Sequence, residues 1–169
     1  IGVFIAEALD EAGVAPRALS GVVAGMGPGP FTGLRVGIAA ARAFAAGIRR
    51  PVVPLVSHDA VAFGRTSPVL VVTDARRREV AWSSYGAPDE LGLPVRLAGP
   101  ALARPDDLET DVDGYASLER VDAAEIDAGA LGMLAETLFA HRRPFAADEP
   151  LYLRPPDVTV PGAPKRVTG

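Results

Sequence analysis

Residues 25–44 read GMGPGPFTGLRVGIAAARAF, a turn rich in glycine and proline that follows an apolar strand and runs straight into a helix. A strand, a Gly-rich turn and a helix N-terminus can together hold an anion on free backbone N–H groups. The spacings of the familiar phosphate loops are not met. A dinucleotide fingerprint counted from Gly25 and Gly27 needs a small residue where Pro30 stands, and a Walker loop needs a lysine that the stretch lacks. Pro28 and Pro30 also delete two of the N–H donors that such a cradle would use.

The helix that follows is more informative. The pattern predicts a helix from about Thr32, a plausible N-cap, to Ala46, with Gly47 ending it. Gly33, Gly37 and Ala41 recur every four residues and make one smooth stripe, beside an apolar face of Leu34, Ile38, Ala41 and Ala45. A glycine inside a helix costs about 1 kcal/mol relative to alanine, so two on one face call for an offsetting gain. Close approach of another backbone supplies one. Arg35 sits in the first turn, where a cation opposes the helix dipole. Two readings follow: a surface arginine paired with a nearby carboxylate, or an arginine facing an acidic group or anion at a subunit boundary.

Around this stretch the chain alternates. Ile1, Phe4, Ile5, Ala8, Leu9 and Ala12 fall at helical spacing, with Gly13 as a stop. Leu19–Met26 and Pro51–Val56 read as short buried strands flanking the glycine helix, which favours a parallel or mixed sheet covered by helices. The pattern weakens over Ser57–Pro68, where a lobe boundary is placed. Val69–Thr73 and Glu79–Tyr85 read as a hairpin closed by the polar turn Asp74–Arg78, residues 86–113 as mostly loop, and Ile126–His141 as an amphipathic helix. The expected organisation is a first lobe at 1–57, a second at 58–154 and a proline-punctuated tail at 155–169. A chain that begins in a helix is an odd start for such a fold, and suggests that strands ahead of it are missing.

Composition narrows the functions. The 169 residues carry a formal charge of −4, against the basic excess usual for a stand-alone nucleic-acid binder. Clusters such as Arg76–Arg78 read mainly as solvated surface, with contact to RNA inside a complex as the alternative. No cysteine occurs and the two histidines, His58 and His141, lie far apart, so no thiolate or His-rich metal motif is available. No apolar run reaches the length that spans a bilayer, and the expectation is a cytoplasmic protein without a membrane partner.

Gly27-Pro28-Gly29-Pro30-Phe31-Thr32-Gly33-Leu34-Arg35-Val36-Gly37 resembles the GPGSFTGLRIG signature of the TsaB (YeaZ) family. Thr73-Asp74-Ala75-Arg76 with Glu79-Val80 is similar to that family's DAR…EV hairpin, and Leu151-Tyr152-Leu153-Arg154 to its C-terminal YLR. The sequence departs from the family in three ways: Pro30 stands for the usual serine, the N-terminal strands are absent, and the segment between the lobes is short. The resemblance implies an α/β, actin-like (ribonuclease-H-like) fold of two lobes. It also implies a non-catalytic subunit that binds a TsaD-like catalytic subunit for threonylcarbamoyl modification of tRNA adenosine, with a TsaE-like ATPase as a further partner. Self-association as a homodimer would use the same helices when that partner is missing, and tRNA would be met only within the complex. The implied interface comprises Ile1, Phe4, Ile5, Ala8, Phe31, Thr32, Gly33, Leu34, Arg35, Gly37, Ile38, Ala41 and Arg42. Arg35, Asp74 and Arg76 are candidate contacts to a nucleotide or anion there, with no intrinsic cofactor and ATP or ADP held only at a partner boundary. The family's catalytic relative carries a metal-binding His-x-x-x-His, which two distant histidines cannot supply. The competing reading is an enzyme acting alone, an actin-like nucleotide hydrolase or a glycoprotease-like peptidase, with Asp74 as its one suggestive carboxylate.

Overall fold

Two strand pairs of opposite character organise the structure, a computed structural model that describes residues 1–154; the 155–169 tail lies outside the described residues. The first pair is parallel. β1 (Val22–Gly25) and β2 (Val52–Leu55) run in register from Val22 opposite Val52 to Gly25 opposite Leu55, joined by the 18-residue helix α2 (Phe31–Ile48). Alternation splits their side chains between two faces. Ala24, Met26 and Val52 meet Leu34 and Ile38 of α2 on one side. Val23, Val53 and Leu55 meet Leu131, Leu134, Ala135 and Leu138 of α5 (Ala128–Ala140) on the other. Continuous apolar runs with β-branched residues suit strands covered on both faces.

The second sheet has four strands in the order β5-β4-β3-β6, with β3 (Val69–Asp74), β4 (Val80–Tyr85), β5 (Arg96–Ala103) and β6 (Glu119–Asp122). β3 and β4 form the expected antiparallel hairpin, while β6 joins β3 in parallel. Leu70, Val72 and Trp82 pack beneath Leu108 of the short helix α4 (Leu108–Asp111) and Val112, and Val69, Val71 and Tyr85 face Ala62 of α3 (Ser57–Ala62). α3 also packs on α5 and so joins the two sheets. The 57/58 division thus falls at the first residue of α3, and α5 returns from late in the chain to cover β1 and β2.

Several local expectations need correction. α2 begins at Phe31 with Pro30 at the N-cap and no side-chain cap, so Thr32 lies inside the helix. It runs past Gly47 to Ile48. The 49–50 amides close back on Ala46 and Ala45, with Arg49 in the left-handed conformation (φ 57°) that glycine usually takes at this position. By length and composition α2 reaches the span that crosses a membrane, contrary to the reading that no run is long enough; Leu34 and Ile38 nonetheless commit one face to the protein core. Residues 86–113 hold β5 and α4 rather than mostly loop. Gly99 (φ 84°) sits where a Cβ would lie 2.5 Å from the Trp82 carbonyl oxygen, so β5 bends over β4 and its alternation is broken in the sequence. The first helix fared as expected: α1 (Gly2–Glu11) closes on Gly13 (φ 64°), with Gly13 and Val14 amides returned to Asp10 and Leu9.

Candidate functional site

The turn before α2 is fastened from two sides. Gly27 donates its N–H to Ser57 Oγ (3.2 Å) and accepts from the Ser57 amide (2.7 Å). Its φ of 110° suits glycine, and a Cβ there would meet the Leu151 carbonyl at 3.1 Å. The Leu151 amide in turn donates to the Met26 carbonyl (2.7 Å). The glycine of this turn therefore serves its own chain, by letting the 148–154 segment pass close across the end of β1.

That segment is a strap with four ties. Asp148 accepts a 2.8 Å ion pair from Arg42, Leu151 holds Met26, Tyr152 accepts a 3.0 Å hydrogen bond from Arg35 Nε, and Arg154 pairs with Glu79 beside the β3–β4 turn. Arg35 is stacked as well as bonded. Its guanidinium carbon lies 3.8 Å from the Phe31 ring centre and 5.4 Å from that of Tyr152, and the two rings are 4.8 Å apart. A carboxylate partner for Arg35 is not found among the described residues; its nearest partners are aromatic.

The strap, the start of α2 and the β3–β4 turn enclose a cleft of about 620 Å³. Arg35 of α2 and, from the β3–β4 turn, Asp74 and Arg76 all line it, together with Thr32, Tyr152 and Arg154. Arg76, Arg77 and Arg78 each hold a left-handed backbone (φ 59°, 56° and 61°). Non-glycine residues there cost roughly 1–2 kcal/mol each, and the Glu79 amide closes the loop by donating to the Arg76 carbonyl (3.1 Å).

A second feature lies on the helices. No residue of α1 is buried; Phe4 is 72% exposed and Ile1 and Ala8 are exposed, with Ile5 half-buried. A groove of about 740 Å³ runs between α1 and α2, lined by Ile1, Ile5, Leu9, Ala40 and Phe44. On α2, Phe31, Thr32, Gly33, Arg35 and Arg42 are exposed and Gly37 and Ala41 half-buried. Among the described residues, a Cβ placed on Gly33 or Gly37 would meet nothing within 4 Å. Leu34 and Ile38 must be removed from the expected interface, because they are buried against Ala24 and Met26 where α2 packs on β1.

One polar network escaped the sequence reading. His58, wholly buried on α3, bonds Ser83 Oγ through Nδ1 (2.9 Å) and Thr73 Oγ1 through Nε2 (3.0 Å). Burial first and the Arg96 charge second lower its pKa to about 4, so it stays neutral near pH 7. Next to it, Tyr85 donates to Asp59 Oδ1 (2.7 Å) and Arg96 lies 3.4 Å from the same oxygen; burial nonetheless raises the Asp59 pKa. The only signal was a histidine near the start of the short run SHDAVA, whose second half is apolar. The network ties α3 to the hairpin, with His58 and Ser83 fully buried and Asp59, Thr73 and Arg96 at its partly exposed edge.

Residues 1–130 match the family model described as TsaD, tRNA N6-adenosine threonylcarbamoyltransferase. An uncharacterized protein of Mycobacterium leprae is 40% identical over 89% of this chain, which spans 42% of that relative. One of Mycobacterium tuberculosis is 37% identical over the same share, and the chain spans 71% of it. The tRNA threonylcarbamoyladenosine biosynthesis protein TsaB of Escherichia coli is 32% identical over 53% of this chain and 40% of its own length. Among solved structures, a protein described as similar to peptidase YeaZ from Pseudomonas aeruginosa superposes with a TM-score of 0.71 at 27% identity, over 89% of this chain and 81% of that one. YeaZ from Pseudomonas aeruginosa gives 0.69 at 25% identity, over 86% and 79%.

Proposed function

The chain belongs to the family described as TsaD, tRNA N6-adenosine threonylcarbamoyltransferase, as a TsaB (YeaZ)-like protein with the actin-like α/β fold, and on that premise we propose that it is a cytoplasmic partner subunit in the making of threonylcarbamoyladenosine in tRNA. It docks a TsaD-like catalytic subunit through the outer face of α1 and α2, and the catalysis resides in that partner. A TsaE-like ATPase joins the assembly, tRNA is met within it, and the same face pairs two copies of this chain when the catalytic subunit is missing.

The observation that carries this reading is the open helix face. Gly33 and Gly37 are unfavourable inside a helix by about 1 kcal/mol each, yet no described residue lies within 4 Å of a Cβ placed on either. Close approach by another chain offsets that loss, and α1 beside them keeps Ile1, Val3 and Phe4 exposed. Assignment of the chemistry to the partner is supported by the histidine content: of two histidines, His58 is sealed between Ser83 and Thr73.

Gly37→Leu is the direct test, since the side chain has room in the monomer and would stand where a second helix must come. The variant is expected to unfold no earlier than the wild type, and to sediment apart from the catalytic subunit at micromolar concentration. Undiminished association would remove the docking face from consideration. A nucleotide-hydrolysis rate in the isolated chain, abolished by Asp74→Asn, would overturn the partner reading in favour of an independent enzyme.

A further inference from the structure

We propose that the strap is a latch coupling α2 to the β3–β4 turn: release of Arg42 from Asp148 at one end frees the turn at the other, while both sheets stay folded. The inference rests on the docking reading in one respect, that a carboxylate of the partner approaching α2 is what takes Arg42 away. The latch belongs to this chain and is tested on it alone.

The strap is lightly held. No residue from 148 to 154 is buried, so burial of apolar surface does not anchor it. Its hold comes from the four ties, and the Arg42–Asp148 pair is open to water, with side chains 45% and 60% exposed. Pairs of this kind contribute little each and are weakened by salt. A segment fixed by a few solvent-exposed contacts opens at a lower free energy than the core beside it. Met26 marks that boundary, since its carbonyl takes the Leu151 amide of the strap while its own amide donates to the Leu55 carbonyl across the first sheet (2.7 Å each).

Arg42 governs the backbone of the strap as well as a side chain. Its Nη2 donates to the Asp148 carboxylate (2.8 Å) and also to the Asp148 carbonyl oxygen (3.0 Å), so a competitor for that guanidinium releases main chain. The middle of the strap lies flush on Gly27, where a Cβ would stand 3.1 Å from the Leu151 carbonyl oxygen. Movement at one end is therefore passed along rather than absorbed.

The far end is held against its own preferences. Arg76, Arg77 and Arg78 keep the left-handed backbone, unfavourable for residues other than glycine, and Arg154 pins the foot of that turn through Glu79. Once the pin is withdrawn the turn has a more favourable backbone to adopt, and a second arrangement of this kind is what coupling between two places requires. The trigger must match a guanidinium, and on a partner's surface the carboxylate of an aspartate or glutamate does so. Linkage makes the effect reciprocal: whatever pins the turn strengthens the hold of Asp148 on Arg42 and weakens its engagement by the partner.

The test is amide hydrogen exchange of the full chain by NMR. Leu151 reports the strap, Ala75 and Glu79 the turn through their bonds to the Glu79 and Arg76 carbonyls, and Met26 the first sheet. Arg42→Ala should speed exchange at Leu151, Ala75 and Glu79 together by about tenfold and leave Met26 unchanged. Asp148→Asn, which spares the bond to the carbonyl, should speed the same three by less. Glu79→Gln should speed Leu151 from the opposite end, and raised salt should act on the same amides in the wild type. Arg65→Ala, which loses an exposed ion pair with Glu119 away from the strap, should alter none of them. Leu151 speeding alone in Arg42→Ala, or not at all, overturns the coupling; Met26 speeding in parallel shows that the strap opens only with the sheet and overturns the latch. Addition of the catalytic subunit to the wild type should speed the turn amides as Arg42→Ala does. A complex that sediments together but leaves them unchanged overturns the trigger, whereas absence of any complex overturns the docking reading, with the latch decided by the results on the chain alone.

Discussion

α1 and α5 are helices of similar length that keep opposite company. α5 starts on Asp127, whose carboxylate accepts from the Gly129 and Ala130 amides (2.6 and 3.0 Å), and it presses Leu134 and Ala135 into the core with Leu55 and Leu93. α1 has Ile1 at its N-cap, no side-chain cap and no buried residue. A helix of ten residues is marginal by itself in water, so α1 depends on what its apolar face meets. For α5 that contact is inside the chain. For α1 the groove beside Ala40 and Phe44 supplies only part of it, and the rest of the face is available as a surface.

The sharpest way to break this contrast is to truncate each helix where it makes its contact. Leu134→Ala should destabilise the fold by roughly 2–5 kcal/mol, as a fully buried leucine lost to a cavity does, read as a fall in the urea midpoint. An unfolding midpoint within error of wild type would mean that α5 is no more anchored than α1.

One layer further in, α3 packs on α5 and carries His58, which makes the anchored side of the molecule sensitive to acid. The folded pKa of His58, about 4, lies below its ordinary 6.5, so between these values the unfolded chain takes a proton that the folded chain refuses. Stability is full above pH 6.5 and falls as pH drops towards 4, by on the order of 3 kcal/mol across the window. Asp59, raised by burial, works in the opposite sense, because the folded state takes its proton first. Urea midpoints measured from pH 7.5 to 4.5 should decline in the wild type and decline much less in His58→Gln; parallel curves would discard the assignment.

Smaller effects refine the comparison. Asp127→Ala removes the cap that α1 never had and should lower stability by about 1 kcal/mol, with the helical circular-dichroism signal following. Phe4→Ser, on the face of α1, should change monomer stability by less than about 0.5 kcal/mol while weakening association with the catalytic subunit in sedimentation. A large loss of stability instead would show that α1 is held by its own chain.

The elements legible in the sequence are those whose apolar spacing survives intact: α1, β1, α2, β2, α5 and the β3–β4 hairpin. β5 was hidden because Gly99 and Pro100 interrupt its alternation at the register shift over Trp82 and Ser84. β6, Glu-Arg-Val-Asp, offers a single apolar residue, since a charged edge strand discourages pairing with other chains. α3 is too short to show a period. At the cleft, the three motifs are each visible, and Arg35, Asp74 and Arg76 are named together as contacts to a nucleotide or anion. What the sequence leaves out is the strap that closes over them, which depends on the fold: a glycine at φ 110° lets Leu151 cross the end of β1. Leu34 and Ile38 were misassigned for the converse reason. A helix that is apolar nearly all round does not reveal which side its own sheet will claim.

The strap has a metrical consequence. Leu151 is fixed to the α2 side of the cleft through Met26, and Arg154 to the other through Glu79. The tie between them is three Cα steps of backbone, at most about 10 Å when fully extended, lengthened by the Arg154 and Glu79 side chains that make the second fastening. The chain thus carries its own gauge: the walls can part no further than that length allows unless one fastening lets go. One residue inserted between Tyr152 and Leu153 would reset the gauge, changing the width of the cleft without touching any side chain that lines it.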